Sequence, residues 1–397
     1  MKRLITLMLC IVFCIGTVGA KSKNYTVIVS LDGCRWDYPL LYHTPFFDSM
    51  AAHGVSATMY ASFPSVTFPN HYTLATGLYP DHHGLINNTF YDREGKCVYS
   101  IGNPVTRNNP KYYGGEPIWI TAERQGVTAA SVYWVGSDLD AKVKHATYYY
   151  VFNKLPRLTF PERVDKVIDL LSMPEDKRPH FIMAYFEEPD EEGHRFGPQS
   201  KITGRMVESL DSLMSCLWKR IQSLPIGKNV NLIITSDHGM TSLSTQRVVP
   251  SKKYLKPSWI DKFISGVPVM IYTNPGCADS VVDALKNVPH IRAWRKADIP
   301  AYLHFGTNKN VGDVLVLPDL GWQFGDKPMP IEGTHGYDNT CSDMQPMFRA
   351  IGPDFKQGYA KKEYFRNVDI YPLLSHLLGI TPAPNDGDLN EVEDLLR

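Results

Sequence analysis

The chain has 397 residues, of which 43% are hydrophobic, so it is long enough to bury a sizeable core as one large domain or two ordinary ones. Its 41 basic and 41 acidic residues balance. Proteins that bind nucleic-acid duplexes or anionic membrane surfaces usually carry a basic excess, and the composition therefore argues against both functions.

The first twenty residues have the features of a secretory signal peptide. Lys2 and Arg3 precede an almost wholly apolar stretch, residues 4–18, and a small-residue cleavage site ends at Ala20. A membrane anchor is the alternative, but the apolar run is shorter than the roughly 20 residues that a span requires. We predict that residues 1–20 are removed, that no membrane span remains, and that the protein is secreted or periplasmic.

Short apolar runs then alternate with helical patterns. Four runs are continuous and rich in β-branched residues, as parallel strands covered on both faces require. They are Tyr25–Leu31, residues 127–135, residues 180–186 and Val230–Thr235. Helical periodicity lies between and around them, in residues 45–53, 117–125 and 206–224.

This alternation predicts an α/β fold with a doubly wound, mostly parallel sheet and helices on both faces. The segment from about residue 241 to 332 differs, because it is richer in proline and has only short strand-like pieces, at residues 267–272 and 313–317. We interpret it as a small subdomain inserted into one catalytic domain, residues 21–397.

Acidic and histidine residues follow three of the predicted strands. Asp32 follows the first strand, Asp190 and His194 follow the third, and Asp237 and His238 follow the fourth. Each has an ordinary alternative, because Asp-Gly and Asp-His-Gly are common turns, and Asp and His four residues apart can be an exposed pair on a helix. Ligands of open parallel sheets bind at the carboxyl ends of the strands, and the three occurrences together favour a metal site there.

A sixth candidate ligand, His335, lies in the glycine-rich loop formed by residues 333–336. Three imidazoles and three carboxylates suit zinc better than magnesium or calcium, which prefer oxygen ligands. Six side chains are too many for one tetrahedral zinc, but they suffice for two. Two metal ions can clamp the attacking and leaving oxygens of a phosphoryl transfer, and we predict two zinc ions per chain.

Thr67 stands at the start of a predicted helix that has Pro69 in its first turn. Capping that helix is the ordinary role for such a threonine. A helix N-terminus also favours anions, and an activated threonine oxygen is a nucleophile, so Thr67 is equally a candidate for catalysis.

Together these segments resemble the nucleotide pyrophosphatase/phosphodiesterase family of the alkaline phosphatase superfamily. The resemblance spans nearly the whole mature chain, and it implies an alkaline phosphatase-like core in a bacterial member that consists of the catalytic domain only. It is carried by Asp32-Gly33, residues 67–72, 76–80 and 83–84, Asn88, and residues 187–190, 193–194, 236–240, 333–336 and 368–372.

The resemblance implies a role for each residue singled out above. Thr67 would attack phosphorus and form a covalent nucleotidyl-threonine, which is then hydrolysed to release a nucleoside 5′-monophosphate. The amide of Asn88 would donate to a nonbridging phosphate oxygen, although a turn is the ordinary role of such an asparagine. The metal ligands would be Asp32, Asp237, His238 and Thr67 at one zinc, and Asp190, His194 and His335 at the other.

Aromatic residues flank this set. Phe68 follows the nucleophile and Tyr185 lies in the third strand, and the resemblance implies that they stack on a base, which contributes about 1–3 kcal/mol per base. Both could instead be core residues. Trp134 is a third candidate for substrate binding. Val66 and Val135 replace the lysine and proline of some vertebrate members, so base preference is not carried over.

Other functions fit fewer of these residues. A phosphomonoesterase, a phosphonoacetate hydrolase or a lipid-headgroup phosphodiesterase could use the same metals. Phe68 and Tyr185 favour nucleotides, whereas choline-type substrates would want an anionic or aromatic cage. A sulfatase would need a C/S-x-P-x-R motif, which is absent. A metal-binding protein without activity would not need Thr67. The sequence therefore predicts zinc-dependent hydrolysis of phosphodiester and pyrophosphate bonds in small nucleotides.

Overall fold

The computed structural model describes residues 24–139 and 145–397. The predicted signal peptide, residues 1–20, lies outside them. Within the described ranges, no helix has both the length and the apolar character needed to cross a membrane.

A mixed sheet, nine-stranded over the described residues, forms the centre of the molecule. Five strands run parallel, in the spatial order Tyr148–Tyr150, Ala129–Val132, Phe181–Phe186, Tyr25–Leu31 and Val230–Thr235. Beyond them, Met347–Ile351 is antiparallel to both of its neighbours, Val230–Thr235 and Val55–Tyr60. Two short strands, Tyr359–Ala360 and Phe365–Arg366, pair in parallel with Val55–Tyr60. The prediction of an α/β fold with a mostly parallel sheet is confirmed.

The central strands form where continuous apolar sequence allows burial on both faces. Tyr25–Leu31 and Val230–Thr235 are wholly buried and match the predicted bounds at both ends. The run over residues 127–135 is a strand only at Ala129–Val132, because Tyr133 adopts a left-handed φ of 69° and turns the chain out of the sheet.

Helices cover both faces of the sheet. On one side Pro45–His53 and Phe160–Leu171 both contact Lys201–Gln222, and on the other side Thr67–Thr76, Ile118–Arg124 and Ile370–Leu378 contact one another. The long helix starts five residues before the predicted residue 206, because the Ser200 side chain caps it by accepting a hydrogen bond from Thr203 N at 3.1 Å. Shorter helices are Tyr38–Leu41, Pro80–His83, Pro104–Arg107, Asp190–Phe196 and Ala278–Leu285.

The predicted insertion contains a second, antiparallel sheet with its own small core. Its strands, in spatial order, are Ile260–Ile264, Val269–Thr273, Val314–Pro318 and Ile291–Arg295. The two middle strands were predicted to within two residues. The outer strands were not predicted, because the sequences IDKFI and IRAWR place charged residues on an exposed face.

Arg163 joins a helix to the end of a central strand. Its guanidinium is 1% exposed and donates to the carbonyls of Leu158 and Tyr185 and to both oxygens of Glu187. Arg163→Met should lower the free energy of unfolding by about 3 kcal/mol, because the carboxylate loses its partner. Urea denaturation measures this change.

Arg220→Met is the matched control. Arg220 pairs with Asp165 at 2.6 Å, but the two side chains are 39% and 56% exposed. Its substitution should lower the free energy of unfolding by less than about 1 kcal/mol. An equal decrease in the free energy of unfolding for the two variants would contradict a larger stabilising role for Arg163.

Candidate active site

Three adjacent strands deliver the predicted ligands to one edge of the sheet. Asp32 directly follows Tyr25–Leu31, and Asp237 and His238 follow Val230–Thr235. After Phe181–Phe186, Asp190 begins the helix Asp190–Phe196, so His194 lies one helical turn further on the same face. This edge is where open parallel sheets bind their ligands.

The six predicted ligands form two clusters. In each cluster, one ligand atom from every residue lies within 4.8 Å of the others. The clusters are Asp32, Asp237 and His238, and Asp190, His194 and His335. They adjoin each other, because the rings of His238 and His335 stack with centroids 3.6 Å apart.

Gly33 allows this close approach. Its φ is +66°, a conformation that L side chains rarely adopt, and a Cβ atom there would lie 2.8 Å from Asp190 Oδ1. Its backbone N–H donates to Asp237 Oδ1 at 3.1 Å. The Asp-Gly pair is therefore a turn, as the ordinary alternative held, and the same turn presents Asp32 to the site.

Backbone carbonyls fix the tautomer of all three histidines. A carbonyl only accepts, so the Nδ1 atom bound to it carries a proton, and Nε2 is the atom left to take a further proton or bind a metal ion. The Nδ1 to oxygen distances are 2.8 Å from His194 to Gly333, 2.9 Å from His335 to Ser65 and 2.8 Å from His238 to Gly239.

The free Nε2 atoms point at each other and at carboxylates. His194 Nε2 is 3.2 Å from His335 Nε2 and 3.3 Å from Asp190 Oδ2. His238 Nε2 is 3.1 Å from Asp237 Oδ2 and 3.5 Å from Asp32 Oδ1. Two lone pairs at 3.2 Å repel each other unless a proton or a metal ion lies between them.

The carboxylates show the same need for a cation. Asp32 Oδ1, Asp190 Oδ1 and Asp237 Oδ2 are buried and have no hydrogen-bond partner within the described residues. Burial, with the charges of Asp237 and Asp190, raises the pKa of Asp32 well above its usual value. Orphaned, mutually repelling carboxylate oxygens beside imidazole lone pairs form a donor set that zinc favours.

The pKa values of the two histidines in the Asp190 cluster shift in opposite directions. Burial lowers the pKa of His194, but the Asp190 carboxylate outweighs this effect and raises it to about 9. Burial and the neighbouring His238 lower the pKa of His335 to about 3. The cluster thus holds one proton tightly, and a metal ion must displace it to bind.

Thr67 is the first residue of the helix Thr67–Thr76, and Val66 takes the N-cap position. Thr67 therefore does not cap the helix. Its Oγ1 lies 3.2 Å from His238 Nε2, at the Asp32–Asp237–His238 cluster. The Thr67 hydroxyl thus lies at the N-terminus of this helix and beside the Asp32–Asp237–His238 cluster.

Asn88 is held against the start of the same helix. The backbone N–H of Phe68 donates to Asn88 Oδ1 at 3.0 Å. Because a backbone N–H cannot accept, this bond fixes the orientation of the amide and leaves Asn88 Nδ2 as a donor on its other side.

A cavity of about 380 Å³ extends from Thr67 and Asp32. Its volume suits a small ligand. All three predicted aromatic residues line it, namely Phe68, Trp134 and Tyr185. Trp134 is only 1% exposed and its indole N–H donates to the His71 carbonyl at 3.0 Å, so it is a fixed wall.

The structure gives one predicted residue a second role and adds two residues that the sequence did not indicate. Tyr185 Oη donates to Asp32 Oδ2 at 2.6 Å, so this tyrosine orients a candidate metal ligand as well as lining the cavity. His71 Nδ1 donates to the Thr67 carbonyl at 3.0 Å and lies 3.2 Å from Asp237 Oδ2. The ring of Phe152 lines the cavity 5.8 Å from that of Tyr185.

Comparison with known proteins agrees with this geometry. Residues 26–338 match the family model described as type I phosphodiesterase / nucleotide pyrophosphatase. Human ectonucleotide pyrophosphatase/phosphodiesterase family member 5 is 33% identical over 380 residues, which cover 94% of this chain and 78% of that protein. Bovine bis(5′-adenosyl)-triphosphatase is 34% identical over 389 residues, covering 96% of this chain and 84% of that protein.

A solved structure shows the same fold. It is the murine family member 5, an inactive threonine-to-alanine variant in complex with AMP, with 33% identity and a TM-score of 0.88. The match covers 94% of this chain and all of that one. The fold, the paired clusters and these likenesses define a metal-dependent phosphoester hydrolase. The chain belongs to the type I phosphodiesterase/nucleotide pyrophosphatase family.

If each cluster holds one zinc ion, removing one ligand should empty one site. We expect Asp237→Ala and His335→Ala each to lower bound zinc from about two to about one ion per chain. His304→Ala, outside both clusters, is the control and should leave the content unchanged. Mass-spectrometric metal analysis after dialysis against zinc measures this, and an unchanged content in both cluster variants would contradict the assignment.

Tyr185→Phe removes only the hydroxyl that orients Asp32. Such supporting hydrogen bonds usually contribute ten- to a hundredfold in metal affinity, and we expect a loss of about that size at one site. Tyr272→Phe is the matched control, because its hydroxyl donates to the Asn310 carbonyl at 2.7 Å in the second sheet. Titration of zinc against a chromophoric chelator measures the affinity. Equal zinc affinities of the two variants would show that Tyr185 lines the cavity without supporting metal binding.

Proposed function

We propose that this protein hydrolyses phosphodiester and pyrophosphate bonds of small nucleotides, releasing nucleoside 5′-monophosphates through a covalent intermediate on Thr67. One observation carries the proposal. The Thr67 hydroxyl lies 3.2 Å from His238 Nε2 in the metal-type donor set, and Thr67 lines the same cavity as the aromatic rings.

The proposal includes two zinc ions. Their ligands would be Asp32, Asp237, His238 and the Thr67 oxygen at one site, and Asp190, His194 and His335 at the other. When bound, such ions neutralise the charge of the reacting phosphate and polarise it. The orphaned oxygens of three buried aspartates support metal binding here.

Thr67 supplies the nucleophile. Its Oγ1–phosphorus bond forms as the bond from phosphorus to the leaving oxygen breaks, while the hydroxyl proton passes to solvent and water protonates the leaving group. Water then cleaves the phosphothreonine ester, which frees the 5′-monophosphate and restores the hydroxyl. The free amide of Asn88 donates to a nonbridging oxygen as charge develops there.

The cavity supports a nucleoside as the group bound beside Thr67. Phe68, Phe152 and Tyr185 offer ring faces and edges on which a base can stack, and Trp134 closes the wall. Two relatives agree, because one is named as a bis(5′-adenosyl)-triphosphatase and the other binds AMP. The second is also inactive after a threonine-to-alanine substitution, which supports a threonine nucleophile.

The site of action in this proposal is outside the cytoplasm. The relatives of this chain include proteins named ectonucleotide pyrophosphatases, and residues 1–20 have the pattern of a signal peptide. A secreted or periplasmic enzyme would meet nucleotides released from other cells.

Thr67→Ala should lower kcat by about a thousandfold or more, since the nucleophile is lost while the aspartate and histidine ligands of both clusters stay in place. Thr67→Ser keeps a hydroxyl and should retain measurable turnover. The assay is release of 5′-monophosphate from a nucleoside triphosphate, with metal content and thermal stability measured in parallel. An alanine variant that turns over at nearly the wild-type rate with both metals bound would refute the covalent route.

A further inference from the structure

Two arginines line the cavity together with Thr67 and the aromatic rings. Arg107 donates from Nη1 to the Ile101 carbonyl at 2.9 Å and from Nε to Asn108 Oδ1 at 3.2 Å, so its donors are partly used by the protein. Arg157 differs, because no hydrogen bond holds its guanidinium within the described residues.

The carboxylate paired with Arg157 is already bound by another arginine. Arg157 Nη1 is 3.9 Å from Glu187 Oε1, and Arg163 binds both oxygens of Glu187. Two guanidinium groups thus share one carboxylate, and Arg157 is the more weakly paired of the two. The Arg157 side chain is 42% exposed, so its donors face solvent and the cavity.

Arg157 is nevertheless held in place. Its guanidinium carbon lies 4.5 Å from the centroid of the Phe152 ring, within the range of a cation–π contact. The Phe152 ring is in turn packed edge-on against Tyr133 and Tyr185, at centroid distances of 5.5 and 5.8 Å. The Arg157 guanidinium therefore packs on the Phe152 ring, which two neighbouring tyrosines hold in place.

A series of contacts connects Arg157 with the metal-type ligands through two aromatic rings. Asp32 accepts a hydrogen bond from the hydroxyl of Tyr185, the ring of Tyr185 contacts Phe152, and the Arg157 guanidinium packs on Phe152. Both rings and Arg157 line the same cavity as Thr67. A ligand with its phosphate at Thr67 and its base among those rings would bring the outer edge of the base toward Arg157.

We propose that Arg157 makes the enzyme prefer nucleotides whose base carries a carbonyl on its outer edge, namely guanine and uracil, over those that carry an amino group there, namely adenine and cytosine. The inference rests on the proposed function. A guanidinium has only donors, so it pairs with O6 and N7 of guanine or O4 of uracil. It meets the amino groups of adenine and cytosine donor to donor, so adenine offers it only N7 and cytosine offers no acceptor on that edge.

The test compares kcat/KM for two matched pairs, GTP against ATP and UTP against CTP. We expect the wild-type protein to favour the carbonyl base by about tenfold or more in both pairs. In Arg157→Gln, which can both donate and accept, the ratio should fall below about threefold, mainly through slower GTP and UTP cleavage. Arg295→Gln, which removes an exposed arginine from the second sheet, is the control and should keep the wild-type ratios.

The outcomes separate the possible roles of Arg157. If it only supports Phe152, all four substrates lose activity together and the ratios stay as in the wild type, which would overturn the inference. A wild-type protein without preference, or with preference for ATP and CTP, would overturn it as well. If no nucleotide is cleaved, the proposed function fails, and the dissociation constants of GMP and AMP from the Thr67→Ala protein then decide the inference alone.

Discussion

Electrostatic repulsion among buried carboxylates is the constraint on which the active-site end of this molecule depends. Asp32, Asp190 and Asp237 converge where three parallel strands end, and among the residues that the structure describes, one buried oxygen of each has no hydrogen-bond partner. Three imidazole rings, each oriented by a main-chain carbonyl, join them. Such a cluster is unfavourable by itself, because buried charges are stable only when they are paired or bind metal ions. This need for compensating positive charge is the physical argument for metal binding at these side chains.

The surrounding structure holds these side chains in position. The parallel register sets Asp32 beside Asp237, and Tyr185 fixes one oxygen of Asp32 from the neighbouring strand. Ser236 links the loop through hydrogen bonds with Cys34 N and the His238 carbonyl, both at 2.9 Å. Main-chain carbonyls orient the histidines, so ligand geometry is tied to the backbone of the fold.

Much of this arrangement could be predicted from the sequence, for physical reasons. Continuous apolar runs define the central strands, and ligands that directly follow strands meet at one sheet edge. The role of Tyr185 in orienting Asp32 was hidden, because an aromatic residue in a buried strand resembles a core residue. Phe152 and Arg157 lie between regular elements and leave no periodic pattern. The antiparallel strand Met347–Ile351 was not expected, since sheet order depends on long-range pairing.

The central claim is that the two clusters are two adjacent metal sites with Thr67 at one of them. Anomalous diffraction at the zinc absorption edge, from crystals of the active mature protein, tests it most directly. The account predicts two peaks, one within bonding distance of Asp32, Asp237 and His238 and the other within bonding distance of Asp190, His194 and His335. A single peak, or peaks away from these residues in a fully active enzyme, would contradict it.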